Sequence, residues 1–276
     1  MTPLPPQTIV TLDPLSPMKL PQLRQQVLDA NLEIVRRGLA LFTFGNASGI
    51  SRADGIVAIK PSGVPYDELT AAHIVLTDLD GNVIEGTLRP SSDLITHILL
   101  YRAFASIGGI VHTHSEYATA WAQSGLPIPA LGTTHADSFH GPVPITPQLS
   151  DEKISRDYVR ETGIAIIERF RESNLDPLTT PGCLVAGHAP FSWGRSPAEA
   201  AKNAVLLESI ARMATLTLSI NPHARPIPQS LLDFHHAHKH GPHATYGQAP
   251  AAAPDPTPGK HSAALQEAAV AAALKK

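Results

Sequence analysis

One cysteine, Cys183, is all that 276 residues carry, which excludes an intrachain disulfide and leaves no sign of an oxidising compartment. Charge of either sign is sparse. Lys+Arg 21 against Asp+Glu 24 gives a net charge of -3, without the basic excess that binding to nucleic acid requires. No apolar run reaches the roughly eighteen residues of a membrane-spanning helix. The opening Met1-Thr2-Pro3-Leu4-Pro5-Pro6 has neither the charged region nor the apolar stretch of a signal peptide. The expected address is therefore the cytoplasm, with neither nucleic acid nor membrane as a partner. No G-x-G-x-x-G, P-loop or internal repeat is visible, which argues against a nucleotide-binding sheet or a solenoid. What the chain does have is enough apolar surface for a core, at 43% hydrophobic and 16% charged residues, and fourteen histidines that cluster.

The sequence divides into a proline-rich arm (1–21), a folded core (22–248) and a proline- and alanine-rich tail (249–276). In the core, Pro21 at a first helical position, the spacing of Leu23, Val27, Ala30 and Ile34, and Gly38 as a C-cap predict an amphipathic opening helix. Short β-rich runs at 56–59 and 74–79, the second followed by the turn pair Asp80-Gly81, predict strands. Ser91-Ser92 precede a helix beginning near Asp93, and Ser115 precedes a short helix reaching Ala122. Residues 109–114 and 183–186 read as strands, and 151–172 and 197–218 as helices, the latter opened by Ser196 and Glu199 as a capping box. Strands and helices interleave without a regular beat, so the fold class is α/β, a mixed sheet covered by helices.

Two features carry chemistry. His112 and His114 stand two apart in a predicted strand, so their side chains leave one face with Cα atoms about 6.5 Å apart, a span that one metal ion can bridge. His188, after Gly187, and Asp93, at a helix start, are candidates to complete a His₃-carboxylate shell suited to Zn²⁺, with Mn²⁺ or Co²⁺ as alternatives. The second feature is a pair of anion-friendly turns. Lys60-Pro61-Ser62-Gly63 offers a cation, a hydroxyl and a glycine, and Ser91-Ser92 offer hydroxyls and free N–H groups at a helix N-terminus. Together they can hold one phosphate. Gly45-Asn46-Ala47-Ser48-Gly49 reads as a glycine-flanked loop that adds an amide and a hydroxyl. The tract His235, His236, His238, His240 and His243 reads as a solvated face or an adventitious metal tract, mostly incidental.

Taken in order, Gly45-Asn46-Ala47-Ser48, Lys60-Pro61-Ser62-Gly63, Pro90-Ser91-Ser92-Asp93, Gly108-Gly109-Ile110-Val111-His112-Thr113-His114, Gly132-Thr133-Thr134-His135-Ala136-Asp137 and Tyr246-Gly247-Gln248 resemble the L-ribulose-5-phosphate 4-epimerase family of the class II aldolase/epimerase superfamily. The resemblance covers roughly residues 20–248. It implies a central, mainly antiparallel sheet covered by helices, and a homotetramer with active sites between subunits. It implies that Asp93, His112, His114 and His188 hold a metal, usually zinc, and that Asn46, Lys60, Ser62, Gly63, Ser91 and Ser92 surround a sugar phosphate. Asp137 and Tyr246 then match the acid/base pair, with the tyrosine expected from the adjacent chain, and His235 matches a neighbouring active-site histidine.

The reaction so implied inverts C4 of L-ribulose 5-phosphate to give D-xylulose 5-phosphate, by a retro-aldol step and recombination through an enediolate and glycolaldehyde phosphate. The sequence departs from the family at Val159, where a carboxylate is expected, and at Ala189, where a glycine is expected. Two alternatives stay open: a sugar-phosphate aldolase that releases the fragments, against which Asp93 argues because those enzymes carry a glutamate there, and a non-catalytic module like the adducin head.

Overall fold

The computed structural model describes residues 18–240 and residue 244. The expected α/β architecture is present. Its centre is a seven-stranded sheet ordered β4-β3-β2-β1-β5-β7-β6, formed by β1 (Asn46–Ser51), β2 (Ile56–Ile59), β3 (Val75–Asp78), β4 (Val83–Glu85), β5 (Gly109–His112), β6 (Gly182–Leu184) and β7 (Pro190–Gly194), with every neighbouring pair antiparallel. The helices are α1 (Pro21–Arg36), α2 (Leu94–Ala103), α3 (Glu116–Ser124), α4 (Thr133–Ala136), α5 (Asp151–Glu172), α6 (Pro197–Ile220) and α7 (Gln229–His240). Among the described residues no helix is long and apolar enough to cross a membrane.

Strand alternation sorts the core into two layers. Ala47, Ala58, Leu76 and Val111 pack with Val27, Ile34, Ala200 and Ala204 of α1 and α6. Val57, Ile59, Ile110 and Trp193 point the other way, onto Ile98 and Tyr101 of α2 and Ile166 and Phe170 of α5. The register pairs Asn46 with His112 and Ser48 with Ile110, so the α2 face of the sheet also carries Asn46, Ser48 and His112. At the rim of the α1 layer, Arg24 and Glu85 form a buried ion pair at 2.6 Å, and the guanidinium also donates to the Ile74 carbonyl. Replacing one partner alone would strand the other charge, at a cost of about 3–5 kcal/mol.

The main difference from the sequence reading lies at 46–51. Read as a loop because Gly and Asn disfavour strands, this segment is β1, near the middle of the sheet between β2 and β5. Burial against two neighbours overrides propensity there. A Cβ at Gly49 would sit 2.8 Å from both Leu23 and Pro197, so the missing side chain is what lets α1 and α6 close onto the strand. The 109–114 strand is shorter than expected and ends at His112. The capping box of α6 is half formed. Ser196 Oγ accepts from the Glu199 amide at 3.2 Å, but the Glu199 carboxylate accepts from the Arg195 amide instead of the Ser196 amide.

Candidate metal centre

The end of β5, the β6–β7 turn and the start of α2 meet at one edge of the sheet. His112 is the last residue of β5, His114 follows two residues on, and His188 sits in the turn between β6 and β7. That turn is closed by the His188 amide donating to the Val185 carbonyl at 3.0 Å, and it needs a left-handed residue at Gly187, where φ is +69°. The three imidazole centroids form a nearly equilateral triangle with sides of 5.0, 4.9 and 4.9 Å.

His114 Nε2 and His188 Nε2 lie 3.2 Å apart. Two nitrogens bonded to one tetrahedral ion at about 2.0–2.1 Å would stand about 3.3 Å apart, so the spacing fits a shared metal. His112 Nδ1 donates to the Pro190 carbonyl at 3.0 Å, which leaves Nε2 as the lone-pair nitrogen, while Phe191 stacks on the ring at 4.2 Å and fixes its plane. Burial holds all three imidazoles below the ordinary histidine value, His188 to about 4 with help from its two neighbours. They are therefore neutral at physiological pH, as metal ligation requires.

Among the described residues, His112, His114 and His188 are the group whose ligand atoms all fall within 4.8 Å of one another. Asp93 lines the same cleft outside that group. It occupies the N-cap position of α2, but its carboxylate makes no capping bond and accepts from Asn46 Nδ2 at 2.7 Å. Burial pushes this carboxyl up, and His112, His97, the Asn46 bond and His188 together outweigh it and hold it below the usual range, hence ionised.

The two anion-friendly turns are stitched together. Pro61 and Pro90 form an antiparallel bridge, the Ser62 amide donates to the Arg89 carbonyl at 2.9 Å, and the Ser91 amide donates to the Lys60 carbonyl at 3.0 Å. Lys60 is only 2% exposed and has no carboxylate within ion-pair distance among the described residues. Its ammonium donates to the Pro61 carbonyl at 3.3 Å and lies 4.7 Å from the centre of the Tyr66 ring. Burial lowers the pKa of this ammonium, a cost that an anion in the cleft would offset. Lys60, Ser62, Gly63, Ser91, Ser92, Asn46, Asp93 and the three histidines line one cleft of about 410 Å³.

The remaining expected site residues lie elsewhere. Asp137 caps α4, its carboxylate 3.1 Å from His235 Nδ1 and 3.2 Å from Lys239 Nζ, both on α7. Neither Asp137 nor His235 lines the cleft. Tyr246 falls outside the described residues.

Sequence reasoning missed His97, which lies one turn after Asp93 on α2. It is fully buried, with Nδ1 2.7 Å from Ser48 Oγ, which in turn lies 2.8 Å from Tyr101 Oη. The i, i+4 spacing from Asp93 was the available signal. Tyr158 and Phe44 also edge the cleft, their rings 5.7 Å from His188 and 6.4 Å from His114 respectively. Tyr158 gets there through a break in α5 at Asp157, which no sequence pattern announces.

Comparison with known proteins places this geometry. Residues 25–215 match the family model of the class II aldolase and adducin N-terminal domain. The chain belongs to that family. Curated relatives include the L-ribulose-5-phosphate 4-epimerase UlaF of Salmonella paratyphi B and of Salmonella typhi, each 51% identical over 227 residues, covering 82% of this chain and 99% of the relative. Among solved structures, an L-fuculose 1-phosphate aldolase aligns with a TM-score of 0.68 at 23% identity, covering 78% of this chain and 94% of that one. The L-fuculose-1-phosphate aldolase of Thermus thermophilus aligns with a TM-score of 0.58 at 21% identity, covering 75% and 100%. These two likenesses speak to the fold alone, and they agree with the antiparallel sheet and its helical covering.

Proposed function

We propose that the chain is a metal-dependent epimerase that converts L-ribulose 5-phosphate to D-xylulose 5-phosphate. The observation that carries the reading is the 3.2 Å approach of two imidazole nitrogens, with His112 as third corner, in the same cleft as a buried unpaired lysine. The 51% identity to relatives named for this activity supports the choice of substrate. The intact trio disfavours a scaffold of the adducin-head kind, which has no use for ligand-competent histidines.

The donor set of three neutral imidazoles and a nearby ionised carboxylate suits Zn²⁺, with Mn²⁺ or Co²⁺ as substitutes. His112, His114 and His188 would hold the ion, with Asp93 swinging from Asn46 as a fourth ligand. When bound, a divalent ion supplies Lewis-acid stabilisation for negative charge developing on the substrate oxygens.

Lys60, Ser62, Ser91 and Ser92 would grip the phosphate, and Asn46 would orient the sugar beside it. C3–C4 cleavage then leaves a dihydroxyacetone enediolate and glycolaldehyde phosphate, and the grip retains the aldehyde while it turns its other face to the enediolate. Each C4 oxygen needs a proton-transfer group on its own side, and Asp137 and Tyr246 are assigned those roles. His235 and Lys239 hold the Asp137 carboxylate in place.

Since Asp137 does not line the cleft of its own chain, we assign it to a neighbouring copy in a homotetramer. Exposed apolar side chains at both places support this. Leu41, Phe42 and Phe44 are 66, 83 and 59% exposed, with the Phe44 ring 6.4 Å from His114, and Phe234 is 64% exposed beside His235. The testing experiment is conversion of L-ribulose 5-phosphate followed by product analysis. Appearance of D-xylulose 5-phosphate is expected. Accumulation of free dihydroxyacetone and glycolaldehyde phosphate would assign an aldolase instead.

A further inference from the structure

A second histidine group lies outside the cleft, and the fold assembles it from two segments that the sequence keeps far apart. α7 carries Asp233, His236 and His240 at i, i+3 and i+7, which puts them on one helical face. The segment after α4 brings His140 against that face. The His140 and His236 rings stack at 4.6 Å with 26° between planes, and His236 lies 4.8 Å from His240 at 32°. His140 Nε2 lies 2.7 Å from Asp233 Oδ1, which also accepts from Gln229 Nε2 at 2.8 Å.

Little apolar surface holds α7 down. Leu232 is its one buried side chain, in a small cluster with Ala130 and Ala136. Polar contacts to the α4 segment supply the rest, including His240 Nε2 to the Asp137 carbonyl at 2.9 Å. A divalent cation shared by the three rings would join α7 to that segment.

We propose that His140, His236 and His240, supported by Asp233, form a second divalent-metal site that takes Zn²⁺ or another imidazole-seeking ion and clamps α7 onto the segment bearing Asp137. Histidines one turn apart on a helix offer two imidazoles to one ion. A carboxylate holding Nε2–H of the third leaves its Nδ1 free to ligate. The rings stack or tilt against one another instead of converging, and among the described residues the cleft trio is the group whose ligand atoms already fall within 4.8 Å of one another. Loading the second site therefore requires imidazole rotation and loss of the His240–Asp137 bond, which makes it the weaker of the two. This inference does not depend on the epimerase reading.

The test is calorimetric titration of the stripped full-length protein with Zn²⁺, repeated with Co²⁺ by absorption. Two classes of site per chain are expected. In the His140→Gln/His236→Gln double variant the weaker class loses at least about tenfold in affinity, while the tight class and the circular dichroism spectrum stay as they were. In His112→Asn/His188→Asn only the tight class is lost. A single class in the unaltered protein would overturn the proposal. So would a weak class that survives the double variant, which would belong to His238, His243 or His261 instead.

Discussion

The two histidine groups differ in what positions them. In the cleft, each imidazole leaves a strand end or a tight β-turn, with the Pro190 carbonyl and the Phe191 ring fixing His112. In the second group His236 and His240 stand on one face of α7, tilted to each other at 32°, and His140 from the segment after α4 stacks on His236. Convergence of lone pairs thus comes from backbone elements locked in the core, whereas a helix face provides proximity without aim. Preorganisation is the difference, and it predicts tight binding and chemistry for the first group and weaker, conformationally coupled binding for the second.

The largest effect expected is on the cleft. His112→Asn should bring L-ribulose 5-phosphate turnover to background and remove the tightly bound ion, as measured by elemental analysis beside the assay. Retained turnover would erase the contrast between the groups. Asp137→Asn should slow turnover by about 10²–10⁴-fold, the usual worth of a proton-transfer group, with metal content unchanged. Loss of metal in that variant would instead make Asp137 a ligand.

If Asp137 acts in the neighbour's cleft, the two inactive variants should complement each other. Co-assembled in equal amounts, they should recover about a quarter of the sites in a closed oligomer. No recovery despite mixed assembly would place Asp137 and the metal within one chain.

Lys60→Met should cost about 10–100-fold in kcat/KM, carried by KM, because it removes one charge-assisted contact to phosphate. An unchanged KM would move the phosphate away from the stitched turns.

The smallest effect is on acid stability of the metal-free protein. His188 and His97 sit at about 4 and about 3 in the fold against an ordinary 6.5. The unfolded chain therefore binds more protons than the folded one below about 6.5, and stability present at neutral pH falls as pH drops from there through about 4 toward about 3. Thermal midpoints measured from pH 8 to 3 should decline over that window. Flat midpoints would mean that these imidazoles are not held neutral by burial.

How much of this is legible in the sequence depends on whether the signal is local. The strand spacing of His112 and His114, the turn bearing Gly187 and His188, and the two anion-friendly turns are short-range patterns, and the fold brings them into one cleft. β1 reads as a loop because its place between two strands is set by distant partners. His97 could have been found from its helical spacing to Asp93. The separation of Asp137 from the cleft, and the meeting of His140 with α7, are facts of tertiary packing across about ninety residues of chain. No local pattern encodes them. The α7 histidines therefore read as incidental in the sequence, whereas the fold turns them into a cluster.

The most direct measurement is conversion of L-ribulose 5-phosphate by chelator-stripped protein as Zn²⁺, Mn²⁺ or Co²⁺ is added back. The expected result is no turnover without an ion, its return as D-xylulose 5-phosphate at about one ion per cleft, and no return in His188→Asn. Full turnover by the stripped protein would contradict the metal centre at the root of the proposal.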